Sequence, residues 1–195
     1  MMSSSNLETR EKIMAAASRL LEEKPGTAVR MSDIAKASGV SRQAVYLHFP
    51  TRADLLIATA RHLDQVLNVD EQLAASRAAT SGRERLDAYI DAWGNYIPQI
   101  YGVARAFLAM EATDEAAAAA WKDRMDAMRH GCEAAVRALA EDGDLKPGFD
   151  QEKATDLLWT LLSVRTWEHL VQDCGWSQQA YVEAMKYMAE TALVA

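Results

Sequence analysis

Along most of the chain, apolar side chains recur at the three- and four-residue spacing that places them on one face of an α-helix. No run of alternating β-branched and polar residues indicates a strand. The pattern therefore predicts an all-α protein. Ser5 and Glu8 have the spacing of a capping box at the start of a first helix, which Pro25 and Gly26 are expected to end.

Two short helices separated by Gly39 are predicted between residues 29 and 49. Gly39 can take the left-handed conformation that ends a helix, and Ser41 can cap the helix that follows. Ala35 is small enough to let two helices cross closely, and Val45 supplies an apolar contact underneath. This spacing is the steric pattern of a helix-turn-helix, whose second helix enters the DNA major groove. On spacing alone, an ordinary corner between two helices fits equally well.

Further apolar stripes predict helices beyond this segment. Thr51 is expected to cap a fourth helix, and Ser81 to precede the next one. Pro98 is expected to interrupt that helix, because its ring nitrogen cannot donate a helical hydrogen bond. Residues 101–110 are then predicted to form a short apolar helix, and residues 114–142 a long one.

The last two helices carry more apolar surface than one chain is expected to cover. Apolar residues surround most of the helix predicted for residues 150–173, so more than one of its faces must be buried. The surplus predicts a partner, most simply a second copy related by a two-fold axis. A deeply internal helix of a monomer is the alternative. The predicted dimer interface consists of Leu158, Leu162, Trp167, Tyr181, Met185 and Met188.

Size and composition limit the class of protein. The 195 residues can form one large domain or a small domain joined to a larger one, and half of them are hydrophobic. No segment reaches the roughly 18 uncharged apolar residues of a membrane span, and the polar amino terminus lacks the apolar region of an export signal. Two cysteines are too few for a disulfide framework. These features predict a cytoplasmic protein.

The charges are distributed unevenly, and this changes what the net charge of −7 implies. Residues 1–60 contain eight Lys and Arg against six Asp and Glu, whereas residues 61–195 contain thirteen against twenty-two. Within residues 24–52, five basic side chains are opposed by Asp33 alone, which gives a local charge of +4. Such a distribution suits a small DNA-reading head on an acidic body that phosphates would repel.

The helix-turn-helix region also carries a family signature. It consists of Asp33-Ile34-Ala35, Gly39-Val40-Ser41, Tyr46-Leu47-His48-Phe49-Pro50 and Leu55-Leu56, and it resembles that of the tetracycline-repressor (TetR) family of transcription regulators. The resemblance implies a DNA-binding domain over residues 7–66 and a larger helical domain, for ligand binding and dimerisation, over residues 67–195. It also implies dimerisation through the last two helices. Residues 1–6 are expected to be disordered.

The second helix of a helix-turn-helix presents its first residues to base edges. Arg42 can donate two hydrogen bonds to guanine, Gln43 can pair with adenine, and the Ala44 methyl can touch that of thymine. A phosphate contact explains Arg42 almost as well, so Gln43 is the better candidate for base readout. The resemblance places the Tyr46 hydroxyl at a phosphate. The full set of predicted DNA-binding residues is Thr27, Arg30, Lys36, Ser41, Arg42, Gln43, Ala44, Tyr46, His48, Thr51 and Arg52.

Three of these positions raise questions of their own. Arg30 stands where the family often has Ser or Thr as a cap, which weakens the cap by about 1 kcal/mol unless Thr27 or Ser32 substitutes. Arg52 replaces a Lys common in the family and, with Thr51 and the free N–H groups of the fourth helix, is expected to form a phosphate seat. The imidazole of His48 fits a phosphate donor and a packing residue equally well.

Aromatic and methionine side chains concentrate in the later part of the chain. Flexible Met and flat rings suit an adaptable apolar cavity, although a plain helix-bundle core would explain each of them as well. The resemblance implies a ligand cavity there, and the bend expected at Pro98 places it nearby. A small, mainly hydrophobic effector is predicted, oriented by a polar group such as the Tyr96 hydroxyl. The candidate ligand-binding residues are Trp93, Tyr96, Tyr101, Phe107, Met110, Met125, Met128 and Trp159.

No cofactor, metal site or catalytic centre is predicted. No two histidines are four residues apart, neither cysteine belongs to a CxxC motif, and His130 and Cys132 do not share a helix face. No phosphate loop or nucleophile motif occurs. The prediction is a homodimeric repressor, released from a palindromic double-stranded DNA operator by a small hydrophobic effector. A DNA-binding regulator without a small ligand and an all-α enzyme with a degenerate helix-turn-helix are the alternatives.

Overall fold

The computed structural model describes residues 4–195, and every regular element in that range is a helix. The all-α prediction is therefore confirmed. The helices are α1 (Ser4–Glu23), α2 (Met31–Ser38), α3 (Arg42–His48), α4 (Arg52–Val66), α5 (Val69–Gln72), α6 (Ala74–Ala78), α7 (Gly82–Met110), α8 (Glu115–Glu141), α9 (Gln151–Leu161), α10 (Val164–Trp167) and α11 (Gln178–Leu193), with a π-helix at Glu168–Asp173 between the last two.

The chain forms two compact units. The first unit is Met1–Leu67 with Ile100–Met125, and the second is Asn68–Gln99 with Asp126–Ala195. This division differs from the predicted boundary between residues 66 and 67, because the end of α7 and the first part of α8 belong to the same unit as α1–α4. No helix within residues 4–195 is long and apolar enough to cross a membrane.

The amino-terminal end differs from its prediction. Helix α1 begins at Ser4, so residues 4–6 are helical rather than disordered, and Ser5 lies inside the helix instead of capping it. Residues 1–3 of the segment predicted to be disordered lie outside the described residues. The helix ends at Glu23, just before the predicted stop at Pro25 and Gly26.

The first unit has an apolar centre of completely buried side chains. Ile13 and Leu21 of α1, Ile34 of α2, Val45 of α3 and Leu55 of α4 are completely buried. These residues recur at helical spacing in the sequence, and their burial fixes α2 and α3 against α1 and α4. We call α1–α3 the head of the molecule.

Pro98 does not interrupt its helix, so that prediction is wrong. Helix α7 continues from Gly82 to Met110 with Pro98 inside it. The missing N–H of Pro98 leaves the carbonyl of Gly94, four residues earlier, without its helical donor. The side-chain amide of Gln178 replaces that donor, since its Nε2 lies 2.8 Å from the Gly94 oxygen. The indole of Trp167 in turn donates to Gln178 Oε1 at 2.8 Å.

The single helix predicted for residues 150–173 is broken. It divides at Leu162 and Ser163 into α9, α10 and the π-helix, and Ser163 caps α10 by accepting from the Thr166 N–H at 3.1 Å. The indole N–H of Trp93 donates to the Leu162 carbonyl at 2.9 Å. This bond satisfies a carbonyl at the end of α9 that has no partner in its own helix.

Most residues predicted for the dimer interface lie instead in the core of the second unit. Five of the six are at most 3% exposed, and only Met188 is half-buried. The five most buried of these residues are thus covered by other parts of the same chain. The internal-helix alternative accounts for them. The buried five are Leu158, Leu162, Trp167, Tyr181 and Met185.

Candidate nucleic-acid interface

The turn between α2 and α3 has the predicted geometry. Gly39 has φ +71°, which glycine adopts without a steric penalty, and the Val40 N–H donates back to the Ala35 carbonyl at 3.1 Å. The Ser41 hydroxyl accepts from the Ala44 N–H at 3.1 Å and so fixes the first turn of α3. Ala35 is 5% exposed, and Val45 is completely buried. Local hydrogen bonds and one close helix crossing therefore set the direction of α3.

Helix α3 has one buried and one exposed face. Val45 and, after its last turn, Phe49 point inward and are at most 1% exposed. Because each residue of a helix turns by about 100°, Gln43 lies about 200° from Val45, near the middle of the outward face. Gln43 and Arg42 are exposed, and Ala44 is half-buried at one edge. The predicted base-reading residues thus border or occupy the surface that α3 presents to the exterior.

Arg42 and Tyr46 form a pair at the other edge of this face. The guanidinium carbon of Arg42 is 5.6 Å from the centre of the Tyr46 ring, within the range of a cation–π contact. Tyr46 remains 41% exposed. The stacking limits the rotamers of Arg42 while leaving its donors free for an acceptor such as a phosphate oxygen.

His48 is held through its backbone. Its carbonyl accepts from Arg10 Nη1 at 3.2 Å, and the same guanidinium lies 4.3 Å from the centre of the Phe49 ring. The imidazole itself is half-buried. Arg10, which was not singled out from the sequence, therefore fixes the end of α3 to α1.

Helix α2 begins without a side-chain cap from its N-cap residue, Arg30. The Arg30 side chain makes no capping bond, and neither Thr27 nor Ser32 replaces it. Instead, the Asp33 carboxylate accepts from the Arg30 N–H at 3.4 Å. Thr27, Arg30 and Lys36 are all exposed. Their exposure is compatible with phosphate contacts, and their role in DNA binding stays a prediction.

Arg52 is not available, so the phosphate role predicted for it is wrong. Its Nε donates to the Val29 carbonyl at 2.6 Å, and its Nη1 lies 2.6 and 2.8 Å from the two carboxylate oxygens of Asp114. The two side chains are only 21% and 13% exposed. Asp114 also caps α8 by accepting from the Ala116 N–H at 3.1 Å. The cation is therefore neutralised inside the first unit.

Thr51 likewise serves its own helix. Its hydroxyl donates to the Asp54 carboxylate at 2.7 Å, and the same carboxylate accepts from the Thr51 N–H at 3.1 Å. A carboxylate thus already occupies the start of α4, where a phosphate was expected. Both halves of the predicted phosphate seat at residues 51–52 are used internally.

A second set of ion pairs joins α4 to α8 within the first unit. Arg61 pairs with Asp123, and Arg124 pairs with both Asp64 and Asp123. Together with the Arg52–Asp114 pair, these contacts place the early residues of α4 beside the start of α8 and the later ones further along it. The two helices therefore run parallel and are joined at two levels.

The sequence reasoning missed one exposed residue of α3. Leu47 is 82% exposed, the highest value among the large apolar side chains of the described chain. Its position four residues after Gln43 was sufficient to place it on the same face.

The eight candidate ligand-binding residues are divided between the two units. Trp93 and Tyr96, with ring centres 5.7 Å apart, belong to the second unit, and the Trp93 indole is committed to the Leu162 carbonyl. Tyr101, in the first unit, is half-buried with the Arg105 guanidinium 5.8 Å from its ring. In the first unit are Tyr101, Phe107, Met110 and Met125, and in the second are Trp93, Tyr96, Met128 and Trp159.

Two buried polar atoms of the second unit stand out. Among residues 4–195, four buried side-chain N or O atoms lack a hydrogen-bond partner, and the two in the second unit are the Trp159 Nε1 and the Tyr181 hydroxyl. Burial raises the pKa of Tyr181, so its hydroxyl is neutral and able to donate at physiological pH. No group of three potential metal ligands occurs within the same range.

The sequence matches known regulators. The family model for "Bacterial regulatory proteins, tetR family" matches residues 13–59. The chain is 30% identical over 164 residues to the HTH-type transcriptional regulator CymR of Pseudomonas putida, a match covering 80% of this chain and 75% of CymR. It is 40% identical over 81 residues to the HTH-type transcriptional regulator BetI of Rhizobium meliloti (strain 1021), covering 42% of this chain and 39% of BetI.

The fold is also found in solved structures. One is the crystal structure of a transcriptional regulator from Saccharomonospora viridis in complex with choline, with a TM-score of 0.73 and 21% identity over 96% of this chain and 98% of that one. At this identity the likeness concerns the fold alone. Because the CymR match covers 75% of that regulator at 30% identity, the chain belongs to the TetR family of DNA-binding transcriptional regulators.

Proposed function

We propose that this protein is a homodimeric repressor that binds a palindromic operator through α3 and releases it when a small molecule binds the second unit. The outward face of α3 carries the proposal. It is held in place by the Ser41 cap and the buried Val45, and it presents an uncharged amide at its centre beside a cation at its edge. A dimer bound to its operator prevents other proteins from using the same DNA, which is the simplest form of repression.

Each part of this face has a separate role. Gln43 reads a base edge in the major groove, since a side-chain amide can pair with adenine and carries no charge for the backbone to attract. Arg42 and Tyr46 contact phosphates at the edge of the groove, where their stacked arrangement limits the entropy lost on binding. Thr27, Arg30 and Lys36 add weaker phosphate contacts from the exposed side of α2 and the segment before it.

The dimer contact is assigned to the outward face of α11, which keeps Met188 and excludes the five predicted residues that are buried. Tyr187 is 70% exposed and is followed by the half-buried Met188. Ala180 and Ala184 precede them at helical spacing, so small and apolar residues form a stripe beside the buried Met185. Packing of this stripe on its two-fold copy would form the dimer, and binding to consecutive major grooves requires its paired heads to lie about 34 Å apart.

The effector is proposed to bind near Trp159 and Tyr181. Both present a buried hydrogen-bond donor that no described residue satisfies, and a buried unsatisfied polar group costs about 1–3 kcal/mol. A mainly apolar molecule with an acceptor oxygen would recover this cost. A small ligand is known in one similar structure, the choline-bound regulator from Saccharomonospora viridis. Binding would favour one spacing of the paired heads, whereas the operator fits another.

The test of DNA binding uses a fluorescent duplex from the region upstream of the protein's own coding sequence. Fluorescence anisotropy should give a dissociation constant that rises steeply with salt, because each neutralised phosphate adds about 0.9 to the slope of log affinity against log salt concentration. Arg42→Ala should lower that slope by about one for each head, whereas Arg137→Ala, which removes an exposed cation of α8, should leave it unchanged. Binding that is absent or independent of salt would refute the proposal.

The effector is sought by denaturing the purified protein and analysing released small molecules by mass spectrometry. A candidate should then quench or shift tryptophan fluorescence and lower operator affinity. Tyr181→Phe, which removes only the hydroxyl, should weaken its binding about fivefold or more while leaving ligand-free operator binding intact. Unchanged ligand affinity in this variant would remove Tyr181 from the site.

A further inference from the structure

Leu47 is an apolar side chain presented outward from the helix that reads DNA. It is 82% exposed, and the side chains around it on α3 are the polar Gln43 and Tyr46. A single exposed leucine on a protein surface is common and requires no explanation. Leu47 differs because it lies on α3, the helix that is proposed to enter the major groove.

Leu47 and Gln43 share the ridge of α3 that lies farthest from the core of the head. Taking about 100° per residue, Leu47 is about 200° from the buried Val45 in one direction, and Gln43 is about 200° from it in the other. The two side chains are one turn apart and therefore adjacent on this ridge. Arg42 and Tyr46 lie to one side, and the half-buried Ala44 lies to the other.

We propose that Leu47 reads a thymine by packing against its 5-methyl group, next to the base contacted by Gln43. This inference rests on the proposed DNA-binding function. In the major groove, thymine is the base that presents a methyl group, and an apolar side chain is its complement. The contact removes both the leucine side chain and the methyl group from water.

This assignment replaces the one given to Ala44 from the sequence. The Ala44 methyl is a single carbon, its residue is half-buried, and its backbone N–H is bound to the Ser41 hydroxyl near the base of the helix. The Leu47 side chain is longer and projects from the middle of the outward face. It therefore extends farther into a groove than Ala44 can.

The test first selects an operator from random duplexes with the wild-type protein. In that operator, each thymine in turn is replaced in both half-sites by uracil, which keeps the base pair and lacks only the methyl group. Anisotropy titrations are then made with the wild type, with Leu47→Ala and with Leu47→Met. A matched control is Val66→Ala, which truncates an apolar side chain that is 61% exposed at the end of α4.

One thymine position should stand out in the wild type. Removal of its methyl group should weaken binding about three- to fivefold per half-site, the value expected for one buried methyl. Leu47→Ala should bind the thymine and uracil operators equally at that position, whereas Leu47→Met and Val66→Ala should respond like the wild type. Melting temperatures and sedimentation should match the wild type, because Leu47 contributes little to the core.

Other outcomes would overturn the assignment and can be told apart. If Leu47→Ala loses affinity yet still responds to the methyl group like the wild type, Leu47 contacts the DNA without reading thymine. If it changes the sedimentation coefficient but not DNA affinity, Leu47 lies in a protein contact. If the wild type enriches no duplex at all, the proposed DNA-binding function fails first, and this inference fails with it.

Discussion

Helices α3 and α11 were both predicted from the sequence to present residues to a partner. The predicted residues are exposed or at the surface on α3 but largely buried on α11. On α3, Arg42 and Gln43 are exposed, as base-reading residues must be in the free protein. On α11, Tyr181 and Met185 are completely buried, and Tyr187 is the large exposed residue. The difference shows that helical spacing identifies a face without identifying what covers it.

The reason lies in how each helix is held. Helix α3 has seven residues, a local cap at Ser41 and one inward position at Val45, so nearby residues identify its inward face, although Arg10 of α1 also holds its end. Helix α11 packs in a unit that contains segments from residue 68 to the carboxyl terminus. Several of its neighbours are about one hundred residues away in the chain, as in the ion pair between Lys186 and Asp87.

Arg52 shows that partners distant in the chain also determine which side chains are covered inside the first unit. Its partner, Asp114, is 62 residues away, and no local pattern connects the two. The cation adds to the local positive charge in the sequence but adds little to the field that DNA would meet. A count of basic residues therefore overestimates the charge available for phosphates.

The largest expected effect is the difference in stability between a substitution on the buried side of α11 and one on its exposed side. Met185→Glu would place a carboxylate at a completely buried position and should destabilise the protein by about 4 kcal/mol or more, a large part of the stability of a typical domain. Tyr187→Glu, two residues further along α11 and on its exposed face, should change unfolding stability by less than about 0.5 kcal/mol but convert the dimer to a monomer. Urea denaturation followed by circular dichroism, together with sedimentation velocity, measures both.

A folded monomer of Met185→Glu would contradict the buried assignment. It would mean that Met185 faces a partner chain, as first predicted from the sequence. A dimer of Tyr187→Glu with unchanged sedimentation would instead remove the outward face of α11 from the interface.

The second prediction compares the two arginines of α3 and α4. Arg52→Ala leaves the largely buried Asp114 without its guanidinium and the Val29 carbonyl without its donor, so a loss of about 2–3 kcal/mol is expected. Arg42→Ala breaks only an exposed stacking contact and should cost less than about 0.5 kcal/mol. If chemical denaturation gave equal losses of unfolding free energy for the two variants, the difference in burial between Arg52 and Arg42 would be contradicted.

The stability that the Arg52–Asp114 pair contributes should depend on pH. Burial alone would raise the pKa of Asp114, but hydrogen bonds from Arg52 and the start of α8 outweigh it and hold the pKa below its usual value. The stabilisation is therefore fully present above the unfolded carboxyl pKa of about 3.9 and is lost as the pH falls through the lower folded pKa. The difference in stability between the wild type and Arg52→Ala should shrink with acidification below pH about 4. A constant difference would exclude Asp114 as the partner that matters.

The third prediction tests the exposed face of α3. Gln43→Ala should cost about 1–3 kcal/mol on the matched operator and relax the preference at one base position. Arg42→Ala should weaken matched and mismatched duplexes by the same factor, because a phosphate contact carries no sequence information. Competition titrations with single-base variants of the operator distinguish the two patterns. A uniform loss for Gln43→Ala would make it a positioning residue.

The sequence was sufficient wherever neighbours in the chain determine structure. The Gly39 turn, the Ser41 and Thr51 caps and the start of α7 after Ser81 all follow from residues within four positions. The helix-turn-helix could therefore be placed residue by residue.

The sequence was insufficient wherever a hydrogen-bond donor or an ion-pair partner comes from a distant part of the chain. The Asp114 partner of Arg52, the Trp93 donor at the end of α9 and the Gln178 donor at Pro98 each come from at least 60 residues away. The predicted break at Pro98 was wrong for this reason, because Gln178 supplies a donor that the local chain lacks.

The smallest predicted effect tests whether Gln178 replaces the helical donor that Pro98 lacks. Gln178→Ala should cost about 1 kcal/mol or more in the wild type, since it removes the donor to the Gly94 carbonyl and the acceptor for the Trp167 indole. Pro98→Ala restores a backbone N–H four residues after Gly94, so the Gly94 carbonyl regains a helical partner. In that background, Gln178→Ala should cost about 1 kcal/mol less. The loss at Trp167 is common to both backgrounds and cancels in the double-mutant cycle. A coupling energy near zero by urea denaturation would mean that Gln178 does not compensate for Pro98, and that α7 stays continuous for another reason.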